Sequence, residues 1–251
     1  MKKTVALAVR VALLAFILIV LRWAIDTPHS NPVDLMIIVG GPLLAYLFVC
    51  FGTMILDLRQ TTSRTAWTTT FVHVSMMLSL GVSMVRAIVT HRDWSVWVFR
   101  VPSVVGLTLV WITGAAMLLT VVNLALRGLG APFFIALSRK LAADWLYAWT
   151  RNPMVLAILA FLISLGIWFR SLLFVSWVLV LFAPALLFFV KAFEERELEI
   201  RFGASYLAYK SRTPMLFPRR PGRPNDMPPC PSATMTGGSS GTGRSGPTVG
   251  S

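Results

Sequence analysis

Apolar runs of about 20 residues recur along this chain, each long enough to cross a hydrocarbon layer of about 30 Å as a helix. Six apolar segments cover roughly residues 4–25, 33–56, 67–90, 101–126, 154–169 and 171–192, the fifth of them short. The composition agrees. The chain is 56% hydrophobic and only 13% charged, whereas soluble domains carry about a quarter charged residues. The expected fold class is all-α: a polytopic transmembrane helical bundle of about six spans, ending in a helical hairpin.

The first segment, TVALAVRVALLAFILIVLRWAI, follows Met1-Lys2-Lys3. It is longer than a usual signal-peptide core and has no A-x-A site before Asp26, so it reads as a retained span. Only Arg170-Ser171 separates the last two segments. They form a tight hairpin whose tip, Trp168-Phe169-Arg170, suits the membrane interface.

Lys and Arg set the expected topology. Lys2, Lys3, Arg59, Arg64, Arg127, Arg139, Lys140, Arg151 and the basic residues after the sixth segment all fall on one side. Arg22, Arg86, Arg92, Arg100 and Arg170 fall on the other, among Asp26, Asp34 and Asp93. Both termini are therefore predicted to be cytoplasmic. The net charge of +13 reads as a topology signal and an attraction to anionic lipid. It does not read as nucleic-acid binding, because no basic segment is interleaved with aromatics. Cys50 and Cys230 imply no disulfide framework. Three regions follow: transmembrane helices over 1–126, a functional region over 127–218, and a tail over 219–251 whose Pro, Gly, Ser and Thr predict disorder.

Every glutamate of the chain lies in FEERELEI: Glu194, Glu195, Glu197 and Glu199. Carboxylates near a helix C-terminus oppose its dipole, and Glu contributes little to topology. On a continuing helix, Glu194 and Glu197 share one stripe and Glu195 and Glu199 another, and Glu197 pairs with Arg201. The plain reading is a solvated helix end with mixed charges. The other is that something cationic nearby requires the cluster. A second polar segment, 127–153, carries Gly128 and Gly130 and ends in Arg151-Asn152-Pro153. Pro153 suits a first helical turn and Asn152 an N-cap, but neither role accounts for Tyr147 or Arg151. The 154–192 hairpin returns the chain to the same face, so 127–153 and 193–218 are expected to meet.

Together the two segments resemble the isoprenylcysteine carboxyl methyltransferase and phospholipid methyltransferase superfamily of integral membrane enzymes. The resemblance rests on an ordered set over about 125–218: Gly128 and Gly130, Tyr147, Arg151-Asn152-Pro153-Met154, Glu194-Glu195, Leu198, Phe202-Gly203, Tyr206, Tyr209 and Pro218. The family usually has Gly where this chain has Trp145, often Tyr at Val155 and Gly at Ala157, and more commonly His at Asn152.

The resemblance implies an enzyme that uses S-adenosyl-L-methionine on the cytoplasmic side to methylate a lipid or lipid-like acceptor arriving from the membrane. It implies cofactor binding by Gly128, Gly130, Tyr147, Arg151, Asn152, Pro153, Glu194, Glu195, Tyr206 and Tyr209. Carboxylates suit the cofactor's ammonium or ribose hydroxyls, Arg151 its carboxylate, and the tyrosines its adenine or sulfonium. Arg201 and Glu195 are the candidate catalytic residues, Arg201 orienting an anionic acceptor. No metal is implied, because no cluster has ligand spacing. His73, in the third segment, is either a hydrogen-bonded packing residue or a functional one. Two rival readings are an NADPH-dependent sterol or steroid reductase and a non-catalytic membrane protein of the same fold, which Trp145 favours.

Overall fold

A computed structural model describes residues 2–28, 30–58, 62–91, 100–126 and 145–220. Gly128 and Gly130, with most of the 127–153 connection, lie outside the described residues, as does the tail beyond Arg220.

The described residues are helical, with no strand among them. Four long helices come first: α1 (Lys2–Asp26), α2 (Asn31–Leu58), α3 (Thr62–Thr90) and α4 (Ser103–Leu126). A single turn, α5 (Leu146–Trp149), precedes the hairpin. Its first arm is α6 (Pro153–Trp168). Its second arm runs without a break from Leu172 to Phe202. That arm comprises α7 (Leu172–Trp177), α8 (Ala183–Phe188) and α9 (Glu195–Phe202), joined by π-helical turns at Val178–Phe182 and Phe189–Glu194. Finally α10 (Ala204–Arg212) turns off at Gly203.

Among the described residues, four helical stretches are long and apolar enough to cross a membrane: Asn31–Leu58, Trp67–Thr90, Ser103–Asn123 and Leu172–Phe202. The fifth apolar segment is the short helix α6, with 16 residues and a length of about 24 Å. The sixth segment is longer than the 171–192 expected, because the helix carries on through the glutamates. Pro184 explains the first π turn. It has no N–H to donate, and the wider turn before it accommodates the carbonyl left behind.

The hairpin tip closes as expected. Arg170 adopts φ 57°, Ser171 N–H donates to Gly166 O (3.0 Å), and the Ser171 hydroxyl accepts from Phe174 N–H to start α7. The tip gathers the far ends of α3 and α4. Phe169 stacks on His91 at 3.9 Å between ring centroids, and Arg170 donates to Ser103 Oγ (2.8 Å). Trp177 Nε1–H and Ser83 Oγ–H both donate to Ile38 O, pinning α7 and α3 to α2. Nearby, Arg86 donates to Asp34 Oδ1 and to the carbonyls of Ala24 and Thr27, locking α1, α2 and α3 together. Sequence reading treated Arg86 and Asp34 only as topology charges. They are a buried, hydrogen-bonded pair.

At the opposite end, the second arm is seated against α2 and α3 through Phe193, which is fully buried. Gly52 makes the approach possible. A Cβ there would lie 2.4 Å from Val72 Cγ2 and 2.9 Å from Phe193 Cε2. His73 Nδ1–H donates to Thr69 O (2.8 Å), and the ring meets Phe189 and Phe193 edge-on. These contacts are those of the hydrogen-bonded packing reading.

Candidate functional site

The chain before the hairpin and the chain after it lie side by side. Arg151 N–H donates to Pro214 O (2.9 Å) and Arg219 N–H to Trp149 O (3.0 Å). Thr150 Oγ1–H and Asn152 Nδ2–H both donate to Met215 O, at 3.1 and 3.0 Å. Tyr209 O–H donates to Tyr147 O (2.7 Å). The expected meeting of the two polar segments is therefore found, in its described part. One detail differs: Asn152 holds the N-cap position of α6 without a side-chain cap bond. Its amide donates instead to Met215 O, a half-buried carbonyl that also accepts from Thr150. Pro153 does occupy the first turn of α6.

This crossing places Arg151 beneath the glutamates. Glu195 is 5% exposed and lies between two cations: Oε1 is 3.0 Å from Arg151 Nη1 and Oε2 is 2.7 Å from Lys210 Nζ. Lys210 also reaches Glu199 Oε1 (2.9 Å). The other oxygen of Glu199 is 3.6 Å from Arg196, which in turn pairs with Asp57 at the end of α2. Glu197 pairs with Arg201 at 2.8 Å, the i,i+4 contact expected from sequence. Yet Glu197 is buried, 4% exposed, so its solvated-face reading does not hold: the helix turns this stripe inward. Arg201 also stands over the Phe202 ring.

Glu194 differs from the other three glutamates. Among the described residues it has no ion-pair partner, and the carboxylates of Glu197 and Glu195 are neighbouring charges that act on it. The Arg151–Glu195 pair is also incomplete. The two side chains are close but not aligned as donor and acceptor. Among the described residues, Arg151 Nε and Nη1 and Glu195 Oε1 are buried with no hydrogen-bond partner. Buried polar atoms left this way are costly, so native sites usually fill them.

Three tyrosines enclose the cluster. Burial, and then the charge of Glu194, push the Tyr147 hydroxyl up to about 12. Burial and the neighbouring Glu195 push Tyr206 up to about 12. Burial, and then Tyr147, raise Tyr209 as well. All three are neutral hydrogen-bonding groups at physiological pH. Tyr206 and Tyr209 face each other at 6.2 Å between ring centroids. Gly203 allows this: its φ of 51° turns α10 back so that both rings are buried.

Of the residues singled out from sequence, Tyr147, Arg151, Asn152, Pro153, Glu194, Glu195, Arg201, Tyr206 and Tyr209 are gathered at one end of the bundle. Sequence reading missed Lys210. The signal was Glu195 and Glu199, like charges at i,i+4 that call for a cation between them. The arrangement offers an unpaired carboxylate, buried guanidinium donors and aromatic walls in one place. It suits a small ligand bearing both a positive and a negative group. Comparison with protein-family models, with curated proteins and with solved structures finds no match to this chain.

Proposed function

We propose that this protein is an integral membrane methyltransferase that uses S-adenosyl-L-methionine and methylates a lipid or lipid-like acceptor. The observation that carries the reading is Glu194. It is a carboxylate with no ion-pair partner among the described residues, set beside an Arg151–Glu195 pair with open hydrogen-bonding capacity. The proposed cofactor has the complementary charges. Glu194 and Glu195 hold its ammonium or ribose hydroxyls, and Arg151 holds its carboxylate with the planar donors that Lys lacks. Tyr147, Tyr206 and Tyr209 line the site as neutral rings.

The cofactor supplies an electrophilic methyl group on a sulfonium. The protein's task is to align an acceptor with it and to exclude water. Burial of Glu195, Tyr206 and Tyr209 serves the second part. Arg201 is the candidate for orienting an anionic acceptor once Glu197 shares it. In the six-span reading, α1 and α6 join the four long apolar stretches as spans and both termini are cytoplasmic. The site then lies at the cytoplasmic bilayer edge, where an acceptor arrives from the lipid.

A further observation supports the family resemblance. Trp145 adopts φ 54°, a conformation that is an outlier for a bulky residue and comfortable for glycine. This is the position where the family usually has Gly. The backbone shape suits that pattern even though the side chain departs from it. The test is transfer of labelled methyl from S-adenosyl-L-methionine to total membrane lipid by the purified protein, with mass analysis of the product. Label in a lipid or lipid-modified product is expected. Binding of NADPH with no methyl transfer would favour a reductase instead.

A further inference from the structure

The function proposed above gives no role to Lys210, although among the described residues its ammonium is the closest cation to Glu195. Lys210 Nζ lies 2.7 Å from Glu195 Oε2 and 2.9 Å from Glu199 Oε1. A ligand ammonium approaching Glu195 therefore meets an oxygen already holding an ammonium of the same chemistry.

The two cations on Glu195 are not equivalent. The Arg151 side chain is 11% exposed, and its backbone is tied to Pro214. Among the described residues, Glu195 is its one ion-pair partner. The Lys210 side chain is 35% exposed, sits on a flexible stem and has a second carboxylate in reach. Glu199 can keep Lys210 while Arg196 holds its other oxygen and Asp57 holds Arg196. Moving Lys210 off Glu195 thus strands no buried charge, whereas moving Arg151 would.

We propose that Lys210 is a built-in competitor for the cation subsite at Glu195, which a ligand ammonium displaces onto Glu199. This inference rests on the reading of Glu194 and Glu195 as a cofactor-binding pair. Lys210 keeps Glu195 satisfied when the site holds no ligand, and its displacement couples ligand binding to the seating of α10 on α9.

The signs of the mutant effects separate this role from a structural one. Lys210→Met removes the competitor, so the full-length protein in detergent should bind S-adenosyl-L-methionine more tightly, by about five-fold, the scale of a half-exposed ion pair. Methylthioadenosine has no amino-acid ammonium, so its affinity should not change. Glu199→Gln removes the fallback partner and should weaken S-adenosyl-L-methionine binding. Unchanged or weaker cofactor binding by Lys210→Met would overturn the proposal. So would an equal gain for methylthioadenosine. If Lys210→Met does not fold, Glu199→Gln decides: weaker binding supports the competitor role and unchanged binding refutes it. Failure of the unmodified protein to bind S-adenosyl-L-methionine would instead refute the functional reading beneath it.

Discussion

Glu195 on α9 and Arg151 before α6 are brought to 3.0 Å by the hairpin between them, with Glu195 buried and Arg151 only 11% exposed. Removing one member of such a pair leaves the other charge under-compensated in a poor solvent. Arg151→Ala should destabilise the protein by about 3 kcal/mol, the lower end for a broken buried pair, because Lys210 still holds Glu195. Arg151→Lys should recover much of that stability, measured by thermal unfolding in detergent, yet not the affinity for S-adenosyl-L-methionine. Full recovery of affinity by Lys would show that planar bidentate donors are not what the site uses.

Gly203 and Trp145 share a positive φ, at 51° and 54°, and so should respond to mutation in opposite ways. Gly203→Ala forces a side chain into a conformation costing about 1–3 kcal/mol and should unseat Tyr206 and Tyr209. Trp145→Gly relieves the same kind of strain and should hold or raise the midpoint of thermal unfolding. A fall with Trp145→Gly larger than that with Gly203→Ala would contradict the assignment of strain.

The tyrosines give a pH dependence. Tyr147 and Tyr206 are held neutral up to about 12 in the folded protein, against an ordinary value near 10. Their raised values mean that the unfolded chain loses protons first. Their contribution to stability is therefore complete below about pH 10 and is lost as pH rises through about 12. Alkaline titration should show tyrosinate absorption from these residues appearing together with the loss of helical circular dichroism. Tyr206→Phe should reduce that late component. Early ionisation of Tyr206 in the folded protein would contradict the burial described.

The long apolar runs made the helical membrane class legible, because length against bilayer thickness is a one-dimensional property. The hairpin was legible for the same reason: two residues between apolar segments leave room for nothing but a turn. Glu197 with Arg201 followed from helix spacing alone. The rest needed three dimensions. Lys210 approaches Glu195 only because Gly203 turns α10 back, and nothing in the residues between them states that angle. The π turns shift which faces of the second arm look inward, so the burial of Glu197 was not readable from an ideal 3.6-residue period. Arg86 and Asp34 were visible as topology charges on one side, but their pairing depends on how α2 and α3 are packed.

The proposed function has Glu194 await a cation supplied by the cofactor. It is tested most directly by the affinity of the purified full-length protein for S-adenosyl-L-methionine, measured beside its Glu194→Gln variant and with NADPH as the competing ligand. The expected result is binding of S-adenosyl-L-methionine by the unmodified protein, a loss of about 10- to 100-fold in the variant, the scale of one charge-assisted hydrogen bond, and no binding of NADPH. Equal affinity in the variant, or binding of NADPH alone, would contradict it.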